Sequence, residues 1–239
     1  MRSLLVKSII YVFLVNFVGF VGATEKEHGI SMGASTRVIF HSDEKRISFP
    51  ISNRNANKLI FHGLVLEKDK SKYSHDFIVS PEVSQLDSYS DKMIQVVRIA
   101  GNYPDDRESL LYLQGHFLPA SRNEKDQSSE LTLSYVMLMK MFFRPKKLRA
   151  SFDAIDDVAD QLDFKVFGNE LRVFNRSPYY MTLNFIRSDK EIIQIPDSNS
   201  MIAPYDSIIL NIKHQNVNSI SWSLINDGGY ATKLLTRKL

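Results

Sequence analysis

No cysteine occurs among the 239 residues of this sequence. This absence excludes disulfide bonds, thiolate metal sites and thiol nucleophiles. The six histidines are scattered along the chain, and none forms a close pair at metal-ligand spacing such as His-x-x-x-His. A glycine-rich phosphate loop and a Gly-x-Ser-x-Gly nucleophile elbow are also missing. We therefore expect no metal, no cofactor and no enzymatic activity, although catalytic groups that converge from distant segments leave an enzyme open.

Long apolar runs are limited to one segment, residues 9–21. Arg2 and Lys7 precede it and small residues follow it, which is the pattern of a secretory signal peptide. A membrane anchor is the alternative, but the run is shorter than the ~20 residues of a spanning helix, and Asn16 interrupts it. We expect residues 1–23 to be removed, which leaves no segment for membrane insertion. Export without disulfides fits the periplasm of a Gram-negative bacterium.

An excess of charge of one sign is also missing. The sequence has 30 Lys and Arg against 27 Asp and Glu, and the two cations of the leader lower the net charge from +3 to +1 when it is removed. This balance gives no indication of nucleic-acid binding.

The rest of the sequence consists of short β segments separated by turn clusters. In the first half we predict strands over 37–40, 46–52, 59–66, 76–81, 93–100, 109–118 and 131–143. In the second half we predict strands over 164–167, 170–175, 180–186, 191–195, 207–212, 219–224 and 231–235. Short strands with regular turn signals are typical of immunoglobulin-like sandwiches. The basic, proline-containing stretch 144–149 is the best linker candidate, and it predicts two domains, 24–145 and 146–239.

Two segments have more than one interpretation. In 131–140, Leu131, Leu133, Tyr135 and Met137 alternate on one face, and from Val136 onward the other face is apolar as well. Such a strand is either buried on both sides or lacks a partner. The acidic stretch 153–163 fits a helical turn or a solvated loop, and we expect its carboxylates to lie on a solvated surface.

Several short motifs then identify a resemblance. In order along the chain they are Thr36–Phe40, Phe77–Pro81, Gln95–Ile99, Tyr103–Leu110, Leu118–Ala120, Lys140–Pro145, Asn175–Tyr180 and Ile225–Gly229. Their order and spacing resemble those of the periplasmic pilus chaperones of the PapD family, over nearly the whole chain after the leader. Gln114-Gly115 departs from the family pattern of Asn or Cys followed by an aliphatic residue, which leaves the local pairing open. The short loop 120–130 and the lack of cysteine resemble the short-loop subclass.

The resemblance implies an all-β protein with two immunoglobulin-like β-sandwich domains at an angle and a cleft between them. It implies a chaperone that binds fimbrial subunits lacking a final strand. The chaperone would lend its own strand to the subunit, which is donor-strand complementation, and would then deliver the subunit to an outer-membrane usher. Whether the free protein caps its strand by forming a homodimer is left open.

The resemblance also implies roles for individual residues. Leu131, Leu133 and Tyr135 match the donor residues, with Met137 as a fourth candidate whose side is left open. The opposite face, Val136 and Leu138, would then pack inside the domain.

Two further groups of residues match family positions. Arg37 and Lys140 match the pair that binds the terminal carboxylate of the subunit, for which a guanidinium fork and an ammonium are suited. Glu108, Arg144 and Asp227 match a salt-bridge network between the domains, and we expect it to orient the cleft.

The alternative is a structural pilin or adhesin subunit built from similar sandwiches. Such a subunit would carry an N-terminal extension of alternating apolar residues that serves as a donor. Here residues 24–28 are short and charged, which argues against it.

Overall fold

The computed structural model describes residues 29–33, 35–120, 134–149, 153–197 and 200–239. The predicted all-β fold with two sandwiches is confirmed. The first sandwich contains β1 (Ile30–Met32), β2 (Arg37–His41), β3 (Arg46–Asn53), β4 (Leu59–Leu66), β5 (Phe77–Ser80), β6 (Val83–Leu86), β7 (Ser90–Arg98), β8 (Ser109–Pro119) and β9 (Tyr135–Arg144). A 3₁₀ turn (Lys146–Leu148) and helix α1 (Ala154–Val158) follow. The second sandwich contains β10 (Leu162–Phe167), β11 (Glu170–Asn175), β12 (Met181–Ser188), β13 (Met201–Ile202), β14 (Ser207–Asn211), β15 (Ser219–Ile225) and β16 (Leu235–Lys238).

In the first sandwich, a sheet of order β1-β3-β7-β5 packs on one of order β2-β9-β8-β4-β6. Alternate residues of each strand point inward because successive side chains of a strand alternate between the two faces of the sheet. The core between the sheets includes Phe40, Phe61, Phe117 and Ile94, all fully buried. This core fixes the position of β9, where the site described below lies.

In the second sandwich, a sheet of order β10-β11-β14 packs on one of order β13-β12-β15-β16. The only tryptophan of the chain, Trp222, is buried between them. Its ring lies 4.7 Å from that of Phe164, and its Nε1 donates to the carbonyl of Ala159 at 2.9 Å. The polar edge of the ring is thus satisfied. Among the described residues, no helix is long and apolar enough to cross a membrane.

Several predicted segments agree with the structure, and 59–66 and 170–175 coincide with β4 and β11. The strand predicted over 191–195 is wrong, because this segment is a loop with a single bridge between Ile192 and Arg187. The predicted leader and the predicted positions 131–133 lie outside the described residues.

The expectation that the acidic stretch is a solvated surface is wrong for Asp153. This side chain is 8% exposed and caps α1, where its Oδ1 accepts from the backbone N–H of Ile155 at 3.0 Å. Its other oxygen accepts from the backbone N–H of Asp227 at 2.9 Å. Asp153 is therefore a structural cap.

Gln114 and Gly115 pair regularly, Gln114 with Leu138 and Gly115 with Met137. Gly115 also lies opposite Gly63 of β4, so two glycines face each other on the core side of the sheet. The space above them is filled by the rings of Phe61 and Phe117, whose centroids are 5.3 Å apart. The departure from the family pattern is thus compensated locally by aromatic packing.

This packing predicts the effect of a single methyl group. In Gly63→Ala, the added Cβ would lie 2.6 Å from Phe61 Cζ and 2.7 Å from Val79 Cγ1. We expect the free energy of unfolding to fall by about 1–3 kcal/mol, the usual cost of overpacking. Urea denaturation followed by circular dichroism measures it. The control Ser48→Ala, at an exposed strand position, should change stability by less than about 0.5 kcal/mol. Equal stability of the two variants would contradict this account.

Candidate functional site

Strand β9 has an edge that its own domain leaves partly open. On one side it pairs with β8 over Tyr135–Phe143, whereas on the other side β2 pairs only with Lys140–Arg144. Over Tyr135–Met139, no described strand pairs with this second edge. Its backbone N–H and C=O groups can therefore accept another strand.

The pairing register between β9 and β8 shows which face of β9 points into the core and which points outward. Tyr135 lies opposite Phe117, and Met139 opposite Leu113, both fully buried. Directly opposed residues share a face, so Tyr135 and Met139 lie on the core side. Met137 lies on this face as well and packs against the core. Tyr135 reaches the margin of the core and stays 46% exposed.

The expectation that Val136 and Leu138 form the intradomain face is wrong. Their side chains are 56% and 45% exposed and point away from the core. This part of the prediction failed because both faces of β9 are apolar, so composition does not indicate which of them packs inside the domain. Of the four donor candidates, Met137 is partly buried against the core of its own domain, Tyr135 lies at the margin of that core, and Leu131 and Leu133 lie outside the described residues.

Arg37 and Lys140 are register partners at the point where β2 begins to pair with β9. Val38 and Met141, the next residues of the two strands, point into the core. Arg37 and Lys140 therefore lie side by side on the opposite face, on strands about 4.8 Å apart. The structure thus brings two cations together at the end of the open edge.

Arg37 is buried but only partly bonded. It is 6% exposed, and its Nη1 donates to the carbonyl of Ile225 in the second domain at 3.1 Å. Its Nε is buried and has no acceptor among the described residues. Burial lowers the pKa of the Arg37 guanidinium, against the raising effect of Asp227 and Glu108. A buried N–H donor without an acceptor is able to receive an acceptor atom from a bound partner.

Lys140 is half-buried. Its ammonium has no hydrogen-bond or ion-pair partner in the part of the chain that the structure describes. Burial lowers the pKa of Lys140, and the neighbouring charges of Arg37 and Lys70 lower it further. All three influences disfavour the charged form, so a carboxylate bound here would relieve them.

Sequence reasoning missed the residues that surround this pair. Lys70 Nζ lies 4.5 Å from the centroid of the Tyr112 ring, and Lys68 Nζ lies 5.9 Å from that of Tyr180. A signal was available in the spacing of lysines at 68, 70 and 72. Lys70 adds to the positive charge at Lys140, and Lys68 carries positive charge towards Tyr180 of the second domain.

Arg144, Glu108 and Asp227 form a buried network that joins the two domains. Arg144 Nε donates to Glu108 Oε1 at 2.7 Å. Its two terminal nitrogens donate to the two carboxylate oxygens of Asp227 at 2.7 and 2.9 Å. The second oxygen of Glu108 accepts from the backbone N–H of Tyr180 at 2.7 Å. Every nitrogen of the guanidinium is thus used in a fixed geometry.

The pKa shifts of the network follow from its burial. Burial raises the pKa of Glu108 to about 7, against the lowering effects of Arg144 and of the Tyr180 N–H. Burial alone would lower the pKa of Arg144, but the hydrogen bonds with Asp227 and the charge of Glu108 outweigh it and raise the pKa. The ion pairs therefore hold the charges in place at the boundary between the domains.

An apolar cluster supports the same boundary. Leu66, Leu110, Tyr112 and Phe142 of the first domain pack with Tyr180 of the second. The rings of Phe142 and Tyr180 are 5.5 Å apart. Polar and apolar contacts together set how the open edge and the two cations face the second domain.

Comparison with known proteins gives two family matches. The family described as "Pili and flagellar-assembly chaperone, PapD N-terminal domain" matches residues 30–149. The family described as "Pili assembly chaperone PapD, C-terminal domain" matches residues 157–235. The two matches together span most of the chain.

Relatives and solved structures agree with these matches. The chain is 25% identical over 224 residues to the chaperone protein FimC of Escherichia coli O6:H1, which covers 93% of this chain and 90% of FimC. It is 28% identical over 232 residues to the chaperone protein PsaB of Yersinia pestis, covering 87% and 83%. Its structure is similar to the Salmonella enterica SafA pilin in complex with the SafB chaperone, with a TM-score of 0.77, 26% identity, and coverage of 90% of this chain and 98% of that chain.

Proposed function

The chain belongs to the PapD family of pilus-assembly chaperones, and we propose that it binds pilin subunits in the bacterial periplasm by donor-strand complementation. The observation that carries this proposal is the open edge of β9, which ends at Arg37 and Lys140. The edge supplies main-chain hydrogen bonds to an added strand. The two cations supply a site for the terminal carboxylate of that strand.

The direction of the added strand follows from β2. Strand β2 runs parallel to β9, and its first residue, Arg37, lies beside Lys140. A strand that continues β2 along the open edge would also run parallel to β9. Its last residue would then lie next to Arg37, so its terminal carboxylate would meet both cations.

The face of β9 determines what the donor strand contributes. Tyr135 lies on the core face of β9 at the margin of the sandwich, where it is 46% exposed. By alternation, Leu133 and Leu131 would follow on the same face. We propose that these three side chains fill the open core of a subunit, so that the chaperone core and the subunit core share one strand.

The remaining steps extend the same proposal. Delivery would be to an outer-membrane usher, where the strand of another subunit replaces β9 and the folding energy of the subunit drives release without a nucleotide. Before a subunit is bound, a second copy of the chaperone is one candidate to pair with the exposed edge of β9. Similarity to the SafB chaperone, solved in complex with a pilin, supports subunits as partners.

The test compares two neighbouring positions that face opposite ways. Tyr135 and Val136 have similar exposure, 46% and 56%, but only Tyr135 lies on the core face. Tyr135→Glu places a carboxylate where the subunit core would close, so we expect recovery of subunit to fall at least about tenfold. Val136→Glu should keep recovery within about threefold of the parent protein. Co-expression with pilin genes of the same locus, followed by affinity capture of the tagged chaperone, measures both.

Circular dichroism shows whether both variants fold. Equal losses in two folded variants would mean that the core face of β9 is not what the subunit receives. Normal recovery in both would exclude β9 as the donor.

A further inference from the structure

A cavity of about 540 Å³ opens beside the free edge of β9. Its walls come from both domains. Met32, Met137 and Met139 of the first domain line it together with Gly229 and Tyr230 of the second. We call this cavity the terminal slot. Cavities of this size hold small ligands in other proteins.

The wall contributed by the second domain is a fixed turn. Asn226 N–H donates to the Tyr230 carbonyl at 2.8 Å, and Tyr230 N–H donates to Asn226 Oδ1 at 2.9 Å. Asp227 in the same turn is held by two hydrogen bonds from Arg144. The position of the turn relative to β9 is thus set by the network that joins the domains.

Gly229 lets this turn approach Thr36, the residue before β2, closely. It has a positive φ of 87°, and a Cβ there would lie 2.9 Å from Thr36 Oγ1. Glycine is therefore needed both for the backbone conformation and for the contact. The approach leaves the Tyr230 side chain 73% exposed at the mouth of the terminal slot.

The lining of the slot is mainly apolar, with hydroxyl groups contributed by Ser31, Ser35 and Thr36. Three of its residues are methionines, whose unbranched, polarizable side chains fit partners of different shape. Tyr230 adds a large, rigid aromatic surface with few torsions to fix on binding. An exposed aromatic residue in the same lining as methionine side chains is suited to hold an apolar side chain.

We propose that the terminal slot binds one large apolar or aromatic side chain from the last three residues of the captured subunit. The inference rests on the proposed function. Continuing the register of β2 along β9 places those residues beside Met139, Leu138 and Met137, which line the slot. The carboxylate at Arg37 and Lys140 would then fix the register, and Tyr230 would select for apolar character at the end of the subunit.

The experiment uses the full-length mature protein and a fluorescent synthetic peptide that carries the C-terminal strand of a captured subunit. Each of its last three positions is replaced by Ala or Asp in turn, and each peptide is made as the free acid and as the amide. Fluorescence anisotropy gives the Kd for the parent protein, Tyr230→Ala and Tyr230→Phe. The matched control is Phe167→Ala, an aromatic residue 57% exposed at the β10–β11 turn.

We expect Tyr230→Ala to raise the Kd of the acid peptide at least about tenfold. Tyr230→Phe and Phe167→Ala should stay within about twofold of the parent protein. At one of the three peptide positions, replacement by Ala should weaken binding to the parent protein but add little in Tyr230→Ala, because the two changes remove the same contact.

The outcomes separate the two proposals. If the acid peptide binds more tightly than the amide but Tyr230→Ala changes nothing, the terminal slot is overturned and the carboxylate site stands. If Tyr230→Ala weakens every peptide equally, whatever its last residues, selection by the slot is overturned. If acid and amide bind equally, the carboxylate site fails, and the slot proposal fails with it.

Discussion

A chaperone carrying Lys140→Met is expected to fold as stably as the parent protein and to recover almost no subunit. Lys140 has no acidic partner in the described part of the chain, and its burial disfavours the charged form. Replacing it with an apolar side chain of similar length removes this burden, so stability should stay the same or rise slightly. Functional sites often carry such locally unfavourable groups.

The loss of binding is expected to be large. Without Lys140, the subunit carboxylate would be desolvated in the cleft with only the partly engaged guanidinium of Arg37 to meet it. Truncating one partner of a buried charge pair costs about 2–5 kcal/mol of binding free energy, which is a loss of more than about tenfold in affinity. Affinity capture of co-expressed subunits and urea denaturation measure the two quantities on one preparation.

The matched control is Lys146→Met, which makes the same change of charge at an exposed position a few residues further along the chain. It should leave both recovery and stability unchanged. Normal recovery by Lys140→Met would remove the ammonium from the carboxylate site. A large fall in stability would mean instead that Lys140 has a structural role.

The positions of many strands could be predicted because alternation is a local property. The segments 59–66 and 170–175 have alternating side chains and clear turns at each end, and they match β4 and β11 residue by residue. The strand predicted over 191–195 does not form. Ile193 is apolar and 3% exposed, but it lies in a loop, where its backbone N–H donates to the carbonyl of Ile186. Burial of an apolar residue alone does not require a strand.

The faces of β9 could not be predicted, because Val136, Met137 and Leu138 are all apolar and alternation gives no preference. Only the pairing with β8, which places Tyr135 opposite Phe117, identifies the core side. Residues that act through tertiary contacts were also missed, because such contacts leave no local pattern in the sequence. Asp153 was grouped with solvated acids, although it caps α1 and accepts from the backbone of Asp227.

The residues of the proposed carboxylate site and of the network were predicted from family motifs, not from local pattern. Arg37 bonds to Ile225, 188 positions away, and Arg144 bonds to Asp227, 83 positions away. No periodicity relates such distant positions. The order of the short motifs relates them, because that order identifies a family whose fold brings these positions together.

The second large effect is expected for Arg144→Met, which should lower the free energy of unfolding by about 3–5 kcal/mol. The substitution leaves Glu108 buried, 3% exposed, without its counter-ion. The control Arg149→Met removes the same charge from a side chain that is 48% exposed and pairs with Asp43 and Glu44. Exposed pairs contribute little, so the control should cost less than about 1 kcal/mol. Urea denaturation of both variants measures the difference.

The pH dependence of the stability loss in Arg144→Met indicates whether the unpaired charge of Glu108 causes it. Burial raises the pKa of Glu108 to about 7 even with Arg144 opposing it, so removal of Arg144 should raise that pKa further. A carboxyl group with a raised pKa in the folded state stabilises the protein fully below its unfolded pKa of about 4.3. It loses that contribution as the pH rises through the folded value.

The deficit of Arg144→Met relative to the parent protein should therefore be smaller near pH 5 than near pH 8. Part of it should remain at the lower pH, because the two hydrogen bonds to Asp227 are lost at every pH. Denaturation curves at both pH values test this. A deficit that does not change with pH would mean that the lost bonds to Asp227, and not the unpaired charge of Glu108, account for the whole effect.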